Sequence, residues 1–175
     1  ARTVIHTIAQ IIPEPGDCLE RANHLLSHDN AASMFVTTFY GVLNPASGEL
    51  CYVNAGHNPP YHITVDGKAA ALARTGGMAL GVMEDLTFAE RKLTLAPGER
   101  LLFYTDGVTE AINEASEEFT TRRLEDTLAV APASPREMIA AVVAAVQTFA
   151  GAAPPTDDLT LLALLYRGTG EAVND

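Results

Sequence analysis

Val4, Ile5, Ile8, Ile11 and Ile12 recur at helical spacing, so the chain opens on an amphipathic helix. Pro13 and Pro15 end it. Asp17 is placed to cap a second helix, with Glu20 three residues later completing a capping-box pattern. Leu19, Ala22 and Leu26 form the buried stripe of that helix, and "HDNAAS" (28–33) is its exit loop.

From Met34 the period shortens to that of strands. "MFVTTFYGVL" (34–43) is rich in β-branched and aromatic residues, "NPASG" turns, and "ELCYVNAG" (49–56) runs back as the second arm of a hairpin. "HNPP" interrupts the ladder, because neither Pro59 nor Pro60 has an N–H to donate. "YHITV", the turn "DGK" and "AALA" suggest a weaker hairpin, and "TGGMALGVMED" (75–85) is a glycine-rich surface loop. "LTFAERKLTL" (86–95) alternates at period two, and "APGER" turns into "RLLFYT" (100–105).

Helical spacing returns in "EEFTTRRLEDTLAV" (117–130) and again in "SPREMIAAVVAAVQTFAG" (134–151). In the latter, Ser134 is the N-cap, Pro135 takes the first helical position, Glu137 closes a capping box and Gly151 supplies the stop. "PPTDDLTLLALLYR" (154–167) gives a loop, two acids and a last buried strand, and the tail from Gly168 reads as frayed. Two helices, a run of hairpin-joined strands, two helices and one strand predict an α+β fold with mainly antiparallel sheet.

Composition narrows the functional classes. The 175 residues include 22 acids against 11 bases, a net charge of −11, which disfavours nucleic acid and anionic membrane as partners. No apolar run approaches the length of a membrane span. Cys18 and Cys51 lie in unlike contexts and do not suggest a disulfide, so a reducing cytoplasm fits. The first residues read as mid-helix, with neither a methionine nor a cap, as in a piece of a longer chain.

The candidate chemistry lies at strand ends. Asp106 follows one strand, and Asp157 and Asp158 precede another. If those strands are antiparallel neighbours, the three carboxylates share one rim, where like charges call for a cation. Carboxylate oxygens favour Mg²⁺ or Mn²⁺ over zinc, and Gly107 would let the backbone approach the ligand. The ordinary alternative is that Asp106 caps the next helix and Asp157 a turn. His57 and Asn58, in "NAGHNPP", could reach a site or shape the turn, and the turn is the commoner use. His62 reads as structural, and His24 and His28 flank a helix end whose dipole suits imidazole. The sequence holds no zinc-spaced His/Cys cluster, no G-x-S-x-G elbow and no glycine-lysine phosphate loop.

"MFVTTFYGVLNPASGELCYVNAGHNPPY", "PGERLLFYTDGVTEA" and "DDLTLLAL" together resemble the bacterial SpoIIE-like, RsbU-type branch of the metal-dependent protein serine/threonine phosphatases (PPM). The match runs in order from about Ala1 to Arg167. The resemblance implies an α-β-β-α sandwich of two antiparallel sheets flanked by helix pairs, one phosphatase-like domain over 1–167 and a tail over 168–175. It implies two ions, Mn²⁺ or Mg²⁺, and hydrolysis of phosphoserine or phosphothreonine on a protein, in this branch a STAS-type anti-anti-sigma factor in a partner-switching pathway.

By motif, Asp106 of "YTDG" and Asp157 of "DDLT" are implied metal ligands, with Asp158 ranked after them. Gly107 is implied as metal-site backbone, and His57, Asn58 and Gly81 as the site's rim. His57 stands where some relatives carry an acid. Upstream sensor or receiver domains are usual, with the signal acting through switch helices or homodimerisation. Relatives also carry a "GGD" strand and a "GDVSGHG"-like turn ahead of the first helix, which supply the metal-bridging Asp and its partner. The 175 residues start after both, so this stretch alone is expected to hold metal weakly and to be inactive. "EEFTTRRL" departs as well, with threonines where relatives often have a glycine. A non-catalytic phosphatase-like binding module is the alternative.

Overall fold

A computed structural model of the protein describes residues 1–28, 30 and 33–169. In chain order its elements are α1 (Arg2–Ala9), α2 (Pro15–His28), β1 (Thr38–Leu43), β2 (Glu49–Ala55), β3 (Tyr61–Ile63), β4 (Ala69–Ala71), β5 (Arg91–Thr94), β6 (Arg100–Tyr104), α3 (Asp106–Thr109), α4 (Thr120–Ala129), α5 (Pro135–Ala150) and β7 (Leu161–Leu165). They form two units, Ala1–Pro59 with Ala73–Thr94, and Pro60–Leu72 with Leu95 onward.

The first unit pairs β1-β2-β5 as an antiparallel sheet. The β1–β2 hairpin forms as its pattern predicts, and Asn44 shapes the turn by accepting the Ala46 N–H at 2.9 Å. Ile8, Cys18 and Ala22 bury the seam between α1 and α2.

Helix boundaries differ from the pattern in instructive ways. α1 stops at Ala9, and Ile11 is exposed beyond it. α2 begins at Pro15, which suits a first helical position, so Asp17 lies inside the first turn and does not cap it. Glu20 does not reach back to its own helix end; its carboxylate accepts the Phe88 N–H at 3.1 Å. That bond draws Phe88 into the cluster of Leu19, Val53, Ala55 and Leu80, so the ladder predicted over 86–95 starts only at Arg91. Likewise Met34 and Phe35 stand exposed, Val36 makes one bridge to Leu80, and the ladder proper begins at Thr38.

The second unit pairs β4-β3-β6-β7, every neighbour antiparallel. β6 is central and nearly all buried. Met138, Val142 and Val146 form the buried face of α5 and join Tyr61, Leu102, Tyr104, Leu124 and Leu128 in one core. Each such side chain contributes about 1.5–3 kcal/mol by leaving water. Ser134 is the N-cap of α5 through its extended backbone, with Pro135 next, but its side chain makes no cap bond, so the capping box is not closed.

The fold is therefore α+β, with two antiparallel sheets, each carrying its own pair of helices. Among the described residues no helix is long and apolar enough to cross a membrane. Asp29, Ala31 and Ala32 of the predicted exit loop, and the predicted tail from residue 170, lie outside the described residues.

Candidate metal centre

The site is built at the junction of β6 and β7. Their ladder ends with Tyr104 opposite Leu161, so the C-terminal end of one strand meets the start of the other. Pairing continues past it. The Thr105 N–H donates to the Thr160 carbonyl at 3.2 Å, and the Thr160 N–H donates to Thr105 Oγ1 at 3.1 Å. The same Oγ1 donates to the Asp158 carbonyl at 3.2 Å. Thr105 thus fastens the acidic loop to the end of β6. The sequence pattern did not single it out; its signal is a hydroxyl directly before the acid.

Gly107 completes the junction. A Cβ there would lie 2.5 Å from the Asp158 carbonyl oxygen, closer than real side chains tolerate. The backbone bearing Asp157 and Asp158 therefore sits against the residue after Asp106. Asp106 is the first residue of α3, not its cap, and its Oδ1 accepts the adjacent Gly107 N–H at 3.2 Å. Asp157 Oδ1 accepts the Asp158 N–H at 2.7 Å. All three acids are exposed, and among the described residues none is paired with Lys, Arg or His. Their donor chemistry, hard carboxylate oxygen, suits Mg²⁺ or Mn²⁺. In number they fall short: among the described residues no three His, Cys, Asp or Glu side chains form a metal-holding group.

The predicted rim residues belong to the first unit, where His57 and Gly81 make local hydrogen bonds. The His57 N–H donates to Asn54 Oδ1 at 2.8 Å, and His57 Nδ1 lies 3.3 Å from Thr37 Oγ1. Asn58 is half-buried in the same turn. Gly81 has φ +85°, and a Cβ on it would come 2.9 Å from the Met34 carbonyl. Its N–H donates to Asn23 Oδ1 at 2.9 Å, and its carbonyl accepts Asn30 Nδ2 at 2.9 Å.

Asn23 itself is fully buried, and its Nδ2 also donates to the carbonyls of Met83 and Glu84. It lies among the apolar positions of α2, between Ala22 and Leu26, and a lone amide there was the signal that could have found it. Among the other histidines, His62 bonds Glu99 at 2.9 Å, and His24 and His28 both face Glu84. Both cysteines are free; burial pushes the Cys51 thiol up, helped by its hydrogen bond to Glu90.

Residues 1–167 match the family model described as Stage II sporulation protein E (SpoIIE). Protein IcfG of Synechocystis is 33% identical over 145 residues, covering 83% of this chain and 23% of that protein. The phosphoserine phosphatase RsbU of Bacillus subtilis is 28% identical over 100 residues, covering 57% of this chain and 30% of RsbU. The crystal structure of the RsbU and RsbW domains of a Mycobacterium tuberculosis protein superposes with a TM-score of 0.76 at 28% identity. It covers 95% of this chain and 46% of that one. The chain thus spans a third or less of the length of these curated relatives.

Proposed function

Because this chain belongs to the SpoIIE family, in the RsbU-like branch of the PPM phosphatases, we propose that its residues 1–167 act as the phosphatase domain of a metal-dependent protein serine/threonine phosphatase. One observation supports the reading: Thr105 bonds Asp158 and Thr160, and Gly107 lies against the Asp158 carbonyl, so the backbone carrying Asp157 and Asp158 abuts the residue after Asp106. Asp106 and Asp157 would hold the divalent cation, with Asp158 next to them. When bound, Mn²⁺ or Mg²⁺ supplies activation of water and neutralises charge on the phosphoryl oxygens. Thr105 and Gly107 hold the backbone of the acidic loop against the end of β6, and no Ser or Cys nucleophile is required of the chain. His57, Asn58 and Gly81 would border the site.

The substrate in this reading is phosphoserine or phosphothreonine on a STAS-type anti-anti-sigma protein in the cytoplasm, with an upstream sensor or receiver domain setting activity and dimerisation as one route for the signal. RsbU, a phosphoserine phosphatase by name, supports the reaction class. A second reading has a specific observation behind it: because no three ligands converge among the described residues, the module could bind its partner without turnover.

The natural full-length chain, assayed with Mn²⁺ and p-nitrophenyl phosphate, is expected to turn over. Asp106→Asn is expected to lose about a hundredfold or more. Undiminished turnover in that variant would remove Asp106 from the site. No turnover in the wild type, with retained binding of a phosphorylated STAS protein, would favour the binding module.

A further inference from the structure

β7 is the last strand of its sheet and pairs with β6 alone. The bonds that flank the ladder fix which of its residues face that neighbour. The Thr160 carbonyl accepts the Thr105 N–H, and the Tyr166 N–H donates to the Glu99 carbonyl. Backbone groups alternate sides along an antiparallel strand, so Leu162 and Leu164 also point toward β6. The N–H and C=O groups of Leu161, Ala163 and Leu165 point outward, and among the described residues none of them has a partner.

Natural sheets guard such an edge with a charge, a proline or a bulge. This edge has none of the three: its register with β6 is continuous, and the chain from Leu159 to Tyr166 holds no proline and no charged residue. Copies of a protein of net charge −11 repel one another, and this stretch is free of that charge. Leu162 stands 61% exposed on it.

The order of the residues says what the edge fits. Leu161-Leu162-Ala163-Leu164-Leu165 reads the same in both directions. Two identical antiparallel strands are related by a two-fold axis. A second copy centred on Ala163 therefore sets Ala163 against Ala163, Leu161 against Leu165 and Leu162 against Leu164. The outward backbone groups of each copy bond those of the other, every leucine faces a leucine, and the smallest side chain lies on the axis.

The helix layer extends the same match. α5 packs on β7 and α4 on β4, so the flank of α5 turned away from α4 overhangs the open edge. Phe149 marks the α4 side of the helix by its edge-on contact with Phe119. By helical periodicity Ile139 and Val143 fall on the other flank, and both are only half-buried. A lone peptide strand on β7 would leave that flank bare, whereas a second copy brings an identical apolar flank to it.

We propose that the β7 edge is a homotypic interface, at which a second copy of this chain pairs antiparallel with β7 about Ala163 and continues the four-stranded sheet across the two-fold axis. The inference stands apart from the phosphatase reading, since it requires neither metal nor turnover.

Sedimentation equilibrium and amide hydrogen exchange on the 175-residue chain test it together. A concentration-dependent species of twice 18.6 kDa is expected, with the Leu161, Ala163 and Leu165 amides protected in the dimer and exchanging freely in the dilute monomer. Leu162→Lys puts a charge at an exposed position opposite Leu164 of the other copy, and should weaken association about tenfold or more. Ala163→Pro, which removes the N–H on the axis and no bond to β6, serves if the first variant does not fold.

A monomer at every concentration would overturn the proposal. So would a dimer undiminished by Leu162→Lys, or one that leaves the three amides unprotected. Protection that persists in the monomer, of this chain or of the natural full-length one, would mean that another segment of the same chain covers the edge, and would overturn it as well.

Discussion

The two units hold their loops in different ways. In the second, the acids stand at the ends of paired strands, and the pairing simply runs on through Thr105 and Thr160 until it reaches Asp158. In the first, the 81–84 loop is held by side chains of α2 and the residues after it, chiefly the buried amide of Asn23, which bonds Gly81, Met83 and Glu84 at 2.8–2.9 Å, with Ser27 on the Met83 carbonyl and Asn30 on the Gly81 carbonyl. A ladder distributes its hold over many backbone groups, so a single substitution seldom undoes it. Side-chain clamps concentrate the hold in a few groups, here chiefly Asn23. The cores differ in the same sense. The second unit gathers α4, α5 and its sheet into one cluster, while buried side chains of the first fall into separate clusters, one between α1 and α2 and one around Leu80.

The contrast predicts that the largest single loss of stability comes from the first unit, far from any carboxylate. Asn23→Ala removes three hydrogen bonds and strands the Gly81 N–H and the Glu84 carbonyl, while the Met83 carbonyl keeps its bond from Ser27 Oγ at 3.3 Å. At roughly 1 kcal/mol per bond, the expected cost is about 3 kcal/mol. Urea unfolding measures it, and proteolysis within 81–84 should accelerate. A cost below about 1 kcal/mol would mean that the bonds from Ser27 and Asn30 suffice to hold the loop and that the two units are held alike.

Gly107→Ala sharpens the other side. Its Cβ would meet the Asp158 carbonyl at 2.5 Å, with backbone on both sides and no flexible side chain to yield. Forcing such a contact costs about 1–3 kcal/mol. The ladder should survive, since Tyr104–Leu161 pairing does not involve this residue. The expected signature is a moderate loss of stability together with weaker Mn²⁺ binding by calorimetry on the natural full-length chain. Unchanged metal affinity would show that the close approach does not set the spacing of the acids.

Sequence periodicity made the α+β order and the antiparallel meeting of the strands around Asp106 and Asp157 legible, because ladders and amphipathic helices leave regular spacings. It misread the edges of elements for a physical reason in each case. Met34 to Val36 and Leu86 to Phe88 have strand-like composition, but a strand needs a partner backbone. The chain spends those residues on a loop bridge and on Glu20 instead. The capping boxes at Asp17 and Ser134 were drawn from residue types alone, whereas Pro15 sets the start of α2 and Ser134 caps only through its backbone. Thr105 and Asn23 went unread because their partners are far along the chain, and no local spacing announces a contact across 53 or 58 residues.

The smallest effect concerns Thr120, at the start of α4. It has φ +69°, a region that costs a β-branched residue about 1–2 kcal/mol. The strain persists because the chain is fixed on both sides. Phe119 is 2% exposed, its N–H donates to the Ala111 carbonyl at 2.8 Å, and its ring meets Phe149 edge-on at 5.5 Å. On the other side Arg123 lies 4.5 Å over the Phe149 ring and donates to the Glu118 carbonyl at 3.0 Å. Thr120→Gly relieves the dihedral strain but adds freedom to the unfolded chain, which offsets part of the gain. The net expectation is stabilisation of about 0.5–1 kcal/mol, seen as a raised urea midpoint. Thr121→Gly, one residue into α4 with φ outside that region, should instead destabilise by about 0.5–1 kcal/mol. If both glycines destabilise alike, Thr120 is unstrained, and the second unit stores no backbone strain at this turn.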